Sequence, residues 1–354
     1  MQKMFRKILI SLLGVPLMAA CTPDRADLYG GMARIDAHVH IRTSDPAIME
    51  FARAEGFKLL TINTRSASQV YIDQQREFAV KMKEHYPDDI SWLATFSMEH
   101  FEEPGWAEEV IRSLQEDVDR GASGFKIWKD IGMTFRDSLG QFIFLDDPRF
   151  APVLEFMQAS GLTLLTHIGE PRNCWLPVDS MTVNNDKSYF RENPQYHMYL
   201  HPDYPSHERL MESRDFVLAH YPDLHMVGAH LGSLEWDVDV LGDRLDRYPN
   251  FAVDLAARVC HLQVQDREKV RKFLEKYQDR VLYATDMGVS GDDFEARKEG
   301  IGHEWHSDWA YFATDSVMSS PNVDNTFTGL DLDEKILRKI FYNNALTWYP
   351  GAFD

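Results

Sequence analysis

From residue 32 onward, short apolar runs alternate with longer amphipathic stretches along the chain. The apolar runs are predicted to be strands over residues 33–41, 58–64, 91–97, 123–129, 162–168, 225–231, 251–256 and 280–285. The stretches between them carry apolar residues at helical spacing and predict helices over residues 45–55, 68–85, 106–120, 148–159, 207–220, 234–247 and 265–277. Eight strands in strict alternation with helices predict an α/β fold, the (β/α)8 or TIM barrel.

An open, doubly wound parallel sheet is the alternative to the barrel. That fold often places a GxGxxG turn after its first strand, and no such turn follows the first strand here. A GxxxxGK[ST] phosphate loop is missing from the sequence as well. No repeat, low-complexity run or Pro/Gly linker divides the rest of the chain, so residues 32–354 are predicted to form one domain.

Two stretches are longer than the usual connection between a strand and its helix, and both are predicted to be loops. Residues 171–206 follow the fifth strand and residues 287–306 follow the eighth. The first is rich in aromatic side chains, which either cover the C-terminal end of the barrel, where substrates bind, or pack the loop against itself. Its aromatic and histidine residues are Trp175, Tyr189, Phe190, Tyr196, His197, Tyr199, His201 and Tyr204.

The first twenty residues have the pattern of an export signal. Three cations within residues 1–7 precede an apolar run over residues 8–20, which is too short to span a bilayer as a mature helix. The run ends in Leu17-Met18-Ala19-Ala20-Cys21, which resembles a bacterial lipobox. This resemblance implies cleavage before Cys21 and a lipid anchor on it; the alternative is ordinary cleavage after Ala20, which leaves a free thiol. Thr22 in place of Asp implies the periplasmic face of the outer membrane, and residues 21–31 are predicted to be a tether.

Composition narrows the range of partners and chemistry. The 354 residues are 44% hydrophobic and 26% charged, as in an ordinary globular protein. A net charge of −19 repels phosphate backbones, so we expect a small-molecule substrate and no nucleic acid. Membrane contact is expected only through the N-terminal anchor, and the oligomeric state stays open. The three cysteines, Cys21, Cys174 and Cys260, fit neither a disulfide framework nor a CxxC site.

Histidines and one aspartate stand at the C-terminal ends of four predicted strands. His38 and His40 end the first strand, and the later ones contribute His167, His230 and Asp286. Catalysis in TIM barrels takes place at this end, where a lone histidine is more often a satisfied core residue than a ligand. Five such side chains in one small space would be costly to desolvate without a cation. Imidazole and carboxylate suit Zn²⁺ best, although Mn²⁺, Fe²⁺ and Ni²⁺ take the same ligands.

With these residues, the sequence resembles the amidohydrolase superfamily, in particular the amidohydrolase-2 branch of metal-dependent TIM-barrel hydrolases. A Tyr342-Asn343-Asn344-Ala345 segment near the end of the last helix completes the resemblance, which covers residues 32 to about 350. It implies that His38, His40, His167 and Asp286 bind a divalent metal ion, with His230 beside it. Most members of this branch hold one metal ion, and a second metal is bridged in binuclear members by a carboxylated lysine on the fourth strand, here Lys126.

The predicted reaction is the hydrolysis of a lactone, ester or amide. Water activated by the metal would give its proton to Asp286, and His230 would polarise the substrate carbonyl. Glu170, in an H-x-G-E segment similar to that of adenosine deaminases, is either the acid for the leaving group or a loop cap. Asp36 is predicted to share a strand face with His38 and His40 and is either a partner of a ligand imidazole or a structural acid.

Two further residues are candidates for substrate binding. Arg258 either binds a substrate carboxylate or pairs with Asp254 or a loop acid, and Trp128 shares a strand face with Lys126. Two other functions compete with hydrolysis. One is nonoxidative decarboxylation in the same metal site, which the ligand set does not distinguish. The other is a catalytically inactive periplasmic binding lipoprotein, which would require the loss of ligands that are all present. An exported enzyme is expected to meet sugar acids, lactones or aromatic degradation products.

Overall fold

The computed structural model describes residues 25–65 and 67–354. The predicted signal over residues 1–20 and the predicted lipidation site, Cys21, lie outside the described residues. The strands are β1 Arg34–Arg42, β2 Phe57–Ile62, β3 Ile90–Leu93, β4 Gly124–Ile127, β5 Thr163–Thr166, β6 Met226–Gly228, β7 Phe251–Asp254, β8 Val281–Leu282, β9 Gly288–Ser290, β10 Val317–Met318 and β11 Phe327–Thr328.

The strands β1 to β9 form a closed parallel barrel. Two parallel sheets, β3-β2-β1-β9 and β4-β5-β6-β7-β8, make up its wall, and a bridge between Ala94 and Phe125 joins them. On the other side β9 continues the path of β8 and pairs with β1, and the Ala37 amide donates to the Tyr283 carbonyl across the seam (3.0 Å). The chain is therefore a TIM barrel, as predicted from the alternation of apolar runs.

Helical segments connect the strands; the longer ones pack on the outside of the barrel, whereas residues 229–232 form one irregular turn that carries His230. The helical segments are α1 Ala47–Ala54, α2 Gln69–His85, α3 Trp106–Asp119, α4 Asp130–Met133, α5 Ala151–Ser160, α6 Asn184–Glu192, α7 His207–His220, α8 Ala229–Gly232, α9 Val238–Arg247, α10 Val259–Gln263, α11 Arg267–Lys276, α12 Phe294–Ala313, α13 Glu334–Arg338 and α14 Asn344–Trp348. Polar caps set several of their starts: the Ser206 side chain accepts from the Arg209 amide at the start of α7 (3.2 Å). Across the described ranges, no helix has the length and apolar character needed to cross a membrane.

Apolar side chains fill the barrel interior in rows that the strand register defines. Leu165 on β5 lies beside Val227 on β6, which in turn lies beside Ala252 on β7, and all three belong to one buried cluster. Trp348 and Tyr349 from the C-terminal helix close the bottom of this interior cluster. The interior is thus packed below, and polar chemistry is confined to the upper end of the barrel, where the strands end.

The predicted loop over residues 287–306 is wrong. Its first residues form β9, and the greater part belongs to α12, which begins at Phe294. The large side chains there serve the core: Trp305 is fully buried and stacks on Phe57 (ring centroids 4.2 Å apart, planes 16° apart). By contrast, the connection between β5 and α7 is long and carries α6 together with four short 3₁₀ turns.

The end of the predicted tether is folded. Residues Arg25–Gly31 form a 3₁₀ helix, and Leu28 and Tyr29 pack against the core. The Tyr29 hydroxyl donates to Glu55 (3.1 Å), and its ring lies 4.3 Å from the ring of His306 on α12. Residues 25–31, which the sequence predicts as part of the tether, are therefore folded onto the barrel.

Candidate metal centre

Four histidines and Asp286 meet at the C-terminal end of the barrel. The rings of His38 and His230 are 5.0 Å apart, and those of His167 and His230 are 4.2 Å apart. His40 Nε2 lies 3.0 Å from Asp286 Oδ1, and His38 Nε2 lies 3.3 Å from the same oxygen. Single ligand atoms of His38, His230 and Asp286 all fall within 4.8 Å of one another. We call these five residues the histidine cluster.

Nitrogen atoms of the histidine cluster are buried without hydrogen-bond partners. Within the described part of the chain, this holds for His38 Nε2, His230 Nε2 and both ring nitrogens of His167. Burying an unpaired polar atom is costly, and so many in one place indicate that another group satisfies them. Neutral imidazole nitrogens beside a carboxylate are the donor set that a divalent transition-metal ion takes, so these residues fit such a cation.

Hydrogen bonds behind the cluster orient its imidazoles. Asp254 Oδ2 lies 2.8 Å from His38 Nδ1, and its other oxygen accepts from the His230 backbone amide (2.7 Å). His230 Nδ1 lies 2.8 Å from the Ala256 carbonyl, and His40 Nδ1 lies 3.1 Å from the Ile62 carbonyl. A carbonyl or carboxylate at Nδ1 favours the proton there, which leaves the Nε2 lone pair free for a metal ion.

Two residues of the cluster adopt left-handed backbone conformations that side chains other than glycine rarely take. His230 has φ +60° and Asp286 has φ +69°. Hydrogen bonds hold both in place, from the His230 amide to Asp254 and from the Asp286 amide to the His38 carbonyl (2.9 Å). Such strained backbone concentrates at functional sites, and here it turns both side chains toward the other histidines.

The protonation states suit metal binding. Burial holds the pKa of His167 well below its usual range, and the nearby His230 charge lowers it further. Burial also holds the pKa of His230 well below its usual range, against the opposing charge of Asp286. Burial acts to raise the pKa of Asp286, but the contact with His40 Nε2 and the electrostatic effect of the neighbouring histidines outweigh it and keep the pKa well below its usual range. The neutral imidazoles of His167 and His230 therefore face an ionised carboxylate.

Asp36 does not contact an imidazole ring; of its two predicted roles the structure shows the structural acid, and the predicted strand face shared with His38 is wrong. β1 gains one extra residue against β2 between Asp36 and Val39, and this β-bulge moves the Asp36 side chain to the opposite face from His38. The Asp36 carboxylate accepts from the Thr285 hydroxyl (2.7 Å) and from Trp305 Nε1 on α12 (3.1 Å). It is a structural acid that ties β1 to α12.

Lys126 points into the barrel. It lies in register with Leu165, and its Nζ is buried without a hydrogen-bond partner among the described residues. Burial lowers the pKa of this amine to about 7, although the charges of Asp254 and Asp286 act in the opposite direction. A neutral amine in this position has the reactivity that carboxylation by CO₂ requires, so the predicted second-metal bridge at Lys126 stays a prediction.

A cavity of about 860 Å³ lies near the histidine cluster. Trp128 lines it and connects it to the cluster, since the Trp128 ring lies edge-on to His167 (5.1 Å) and His40 (6.3 Å). Lys129 and Glu170 form an ion pair at its edge, so Glu170 is held by a lysine instead of capping the loop. The walls carry tyrosines from α2 and from the long β5–α7 connection: Tyr71, Tyr189, Tyr196 and Tyr204.

Arg258 lies at the other side of the cluster, where it lines a second cavity of about 320 Å³. Its Nη1 donates to the Ala257 carbonyl (2.9 Å). The predicted alternative, an ion pair with Asp254, does not form, because that carboxylate binds His38. Arg258 therefore remains available for a ligand.

A family model described as amidohydrolase matches residues 35–351. The chain belongs to the amidohydrolase family. No curated protein matches the sequence. Among solved structures, a putative amidohydrolase from Staphylococcus aureus shares the fold at 14% identity and a TM-score of 0.54, covering 90% of this chain and 99% of its own.

Two further solved structures have the same fold. A 2,6-dihydroxybenzoate decarboxylase from Rhizobium superposes with a TM-score of 0.53 at 14% identity, over 90% of this chain and 98% of its own. A 5-carboxyvanillate decarboxylase from Novosphingobium aromaticivorans, described with bound manganese, superposes with a TM-score of 0.51 at 15% identity, over 91% of this chain and 98% of its own. At these identities the likeness concerns the fold.

This amidohydrolase is therefore an enzyme, which excludes the inactive binding lipoprotein, and its family implies a divalent metal ion. The structure brings together all five predicted cluster residues, with Trp128 and Lys126 next to them. Asp254 was missed as the partner of His38 and His230. Its position offered a signal, since it is the last residue of the seventh strand and lies on the face that Ala252 turns inward.

Proposed function

We propose that this amidohydrolase hydrolyses an ester, lactone or amide bond of a small, carboxylated or sugar-derived substrate, with Zn²⁺ as its resident metal ion. His38, His40, His167 and Asp286 would hold the cation, with His230 beside it. The observation that carries the proposal is the set of buried, unpaired imidazole nitrogens around an ionised carboxylate. When bound, the cation supplies a water of lowered pKa and polarises the substrate oxygen.

Four residues of the chain would act on the water and the substrate. Asp286 is the only cluster member with a substantially exposed side chain (32%), so it can accept the proton from water and return it to the leaving group. His230 Nε2 is buried and unpaired, and it can stabilise negative charge that develops on the substrate oxygen once it carries a proton. Arg258 supplies a fixed positive charge for a substrate carboxylate. Trp128 offers a flat surface beneath the scissile group.

Nonoxidative decarboxylation is the second candidate reaction. The cavity beside Trp128 is walled by tyrosines and is suited to a planar aromatic ring, and two of the similar solved structures are described as decarboxylases of aromatic acids. In that reaction Asp286 has no proton to take from water, and a proton must instead reach the ring carbon that loses CO₂.

The two reactions are separated by their products. We would incubate metal-reconstituted protein with a panel of lactones, N-acyl compounds and aromatic carboxylates. Acid release without CO₂ supports hydrolysis, whereas CO₂ release with proton uptake supports decarboxylation. Turnover of no member of either group by protein that has bound its metal ion would contradict both.

The roles of Asp286 and His230 are tested by single substitutions. Asp286→Asn and His230→Asn should each lower kcat by about 10²–10⁴-fold, the usual contribution of a positioned acid or base. His230→Asn should keep its metal ion, measured by elemental analysis, and both should keep the circular dichroism of the parent. His220→Asn, an exposed histidine at the end of α7, is the matched control. Full activity of Asp286→Asn together with metal loss in His230→Asn would reverse the assignment.

We further propose that the protein is exported and held by a lipid on Cys21 at the periplasmic face of the outer membrane. The support is the sequence of the first 21 residues, with a charged start, an apolar run and a lipobox-like end. In that location the enzyme would meet imported small molecules and not cytosolic nucleotides, which agrees with its acidic composition.

A further inference from the structure

The cavity beside Arg258 lies between the ends of strands seven and eight. Ala257 and Ala284 line it, and both neighbour the histidine cluster along the chain. Ala257 follows Ala256, whose carbonyl lies 2.8 Å from His230 Nδ1, and Ala284 stands two residues before Asp286. Helix α12 and residues 318–322 form the opposite wall. The cavity is thus separated from the histidine cluster by the ends of these two strands, and no cluster residue lines it.

One wall of the cavity carries the guanidinium of Arg258, which has no carboxylate in direct contact among the residues that the structure describes. Arg258 is 7% exposed, and across residues 25–65 and 67–354 its guanidinium forms no ion pair, while its Nε has no hydrogen-bond partner. Asp186 and Glu235 act on it only through space and raise its pKa against the effect of burial. A buried guanidinium without a carboxylate is unusual, because desolvation of a charge is costly unless it is paired.

The opposite wall carries two carboxyl groups. Glu304 and Asp308 are four residues apart on α12, and in the described chain neither forms an ion pair. Asp308 accepts a hydrogen bond from the Tyr283 hydroxyl (3.0 Å). Burial raises the pKa of Asp308 to about 7, and burial together with the charge of Asp308 raises the pKa of Glu304. These groups lack a cation, as Arg258 lacks an anion.

We propose that this cavity binds a zwitterionic ligand, an amino acid or short peptide, with its carboxylate on Arg258 and its ammonium group on Glu304 and Asp308. The inference goes beyond the proposed function, because no residue of the histidine cluster lines this cavity; the ligand is bound beside the candidate metal centre, and none of its bonds is broken there. A ligand with only a negative charge would leave both carboxyl groups unpaired, and a purely cationic one would leave Arg258 unpaired. The volume of about 320 Å³ is at the small end of ligand pockets.

The test is a binding measurement that does not depend on turnover. Titration calorimetry on the full mature chain, with and without Zn²⁺, would use the dipeptide Ala-Ala, its N-acetyl derivative and its C-terminal amide. We expect Ala-Ala to bind and each blocked form to bind at least tenfold more weakly. Equal binding of the three probes, or no binding of Ala-Ala at millimolar concentration, would overturn the inference.

Substitutions locate the binding. Arg258→Met should weaken Ala-Ala at least tenfold and leave the C-terminal amide unaffected, whereas Glu304→Gln combined with Asp308→Asn should weaken Ala-Ala and leave the N-acetyl form unaffected. Arg247→Met and Glu299→Gln, at exposed positions, are the matched controls. If a variant bound all three probes equally weakly, the assignment of the ligand carboxylate to Arg258 and of its ammonium group to Glu304 and Asp308 would be contradicted. If a variant fails to fold, the comparison of Ala-Ala with its N-acetyl and amide derivatives on the unaltered protein still tests the inference.

The inference and the proposed function can fail separately. If Ala-Ala binds as expected but no lactone or amide is hydrolysed, the cavity assignment stands and the hydrolase proposal falls. If a lactone is hydrolysed while Ala-Ala does not bind, the hydrolase proposal stands and the zwitterion assignment falls.

Discussion

A single buried carboxylate, Asp254, organises two residues of the candidate metal centre. Its oxygens contact the His38 ring and the His230 backbone amide, and the charge of His38 helps to keep its pKa below the usual range despite burial. Such a partner fixes the tautomer and orientation of a metal-binding histidine. Asp254 is thus a positioning residue, which acts on the metal through His38.

Asp254→Asn is predicted to weaken metal binding by about 10–100-fold, because it removes the negative charge that makes His38 a strong donor. Competition with a fluorescent chelator measures the affinity, and circular dichroism checks the fold. Asp246→Asn, which removes the negative charge from an exposed ion pair with Lys276, is the control. Unchanged metal affinity in Asp254→Asn would show that the contact with His38 has no influence on the metal.

The buried amine of Lys126 predicts a pH dependence of stability. Its pKa is about 7 in the folded chain and about 10.4 in an unfolded one. Between these values the unfolded chain binds a proton that the folded chain lacks, so this residue makes the protein more stable as the pH rises through that window. The destabilisation that the buried Lys126 amine causes is at its full value below about pH 7 and is absent above about pH 10.4.

Lys126→Met should therefore stabilise the metal-free protein by a few kcal/mol near pH 7, at about 1.4 kcal/mol per pH unit of difference, and the gain should vanish near pH 10. Urea unfolding at several pH values measures it. A difference that stays constant with pH would mean that Lys126 is charged in the folded protein.

At the residue scale, the position of each residue along its strand predicted the histidine cluster correctly. It gave the wrong strand face for Asp36 and did not reveal the role of Asp254. His38, His40, His167, His230 and Asp286 follow from one rule, that the upper ends of barrel strands converge. Asp36 was placed on the wrong face because the alternation of side chains along a strand assumes a regular strand, and the sequence does not reveal the β-bulge. The role of Asp254 depends on its distance from His38, which is 216 residues away in sequence.

Among the elements, the connection between β5 and α7 determines the shape of the cavity beside Trp128. Its helix α6 is fixed to the barrel by Asp186, which accepts from Asn173 Nδ2 (2.8 Å) and lies 3.3 Å from His261 Nε2 on α10. Burial acts to raise the pKa of Asp186, and the interactions with His261 and Arg258 overcome it and lower the pKa. Tyr189 and its neighbours depend on this contact for their position.

Asp186→Ala is expected to loosen the connection without unfolding the barrel, because it removes a buried hydrogen-bonded carboxylate at a cost of about 1–3 kcal/mol. Limited proteolysis with mass spectrometry should show cleavage within residues 171–206 several-fold faster than in the parent. Asp179→Ala, in the same connection but fully exposed, should cleave at the parental rate. Equal rates for the two variants would argue against Asp186 as an anchor.

Element boundaries were predicted well at strand starts and less well at strand ends. Each predicted strand begins within one residue of the observed one, but most predicted ends run two to four residues too far. The apolar pattern continues into the turns that carry His167 and His230, where the backbone leaves the sheet to direct these side chains. The error over residues 287–306 has a different cause: α12 buries residues such as Trp305 against the barrel while also facing a cavity, so its pattern lacks a clear amphipathic period.

At the scale of the whole molecule, the alternating order of strands and helices could be predicted from the sequence because it follows a repeated local pattern. The predicted export signal is the other feature at this scale, and it leads to a direct test. Cys21→Ser should abolish incorporation of a radiolabelled fatty acid and move the protein from the membrane fraction to the soluble periplasmic fraction. A mature chain that starts at Cys21 without lipid would instead indicate ordinary cleavage after Ala20.

Every role proposed for the histidine cluster depends on its binding a metal ion. The most direct measurement is elemental analysis of the purified, unaltered protein at neutral pH, alongside a His38→Ala variant. We predict about one tightly bound divalent metal ion per chain in the parent and a marked loss in the variant. Less than about a tenth of an equivalent in the parent, after reconstitution with Zn²⁺ and Mn²⁺, would contradict the account.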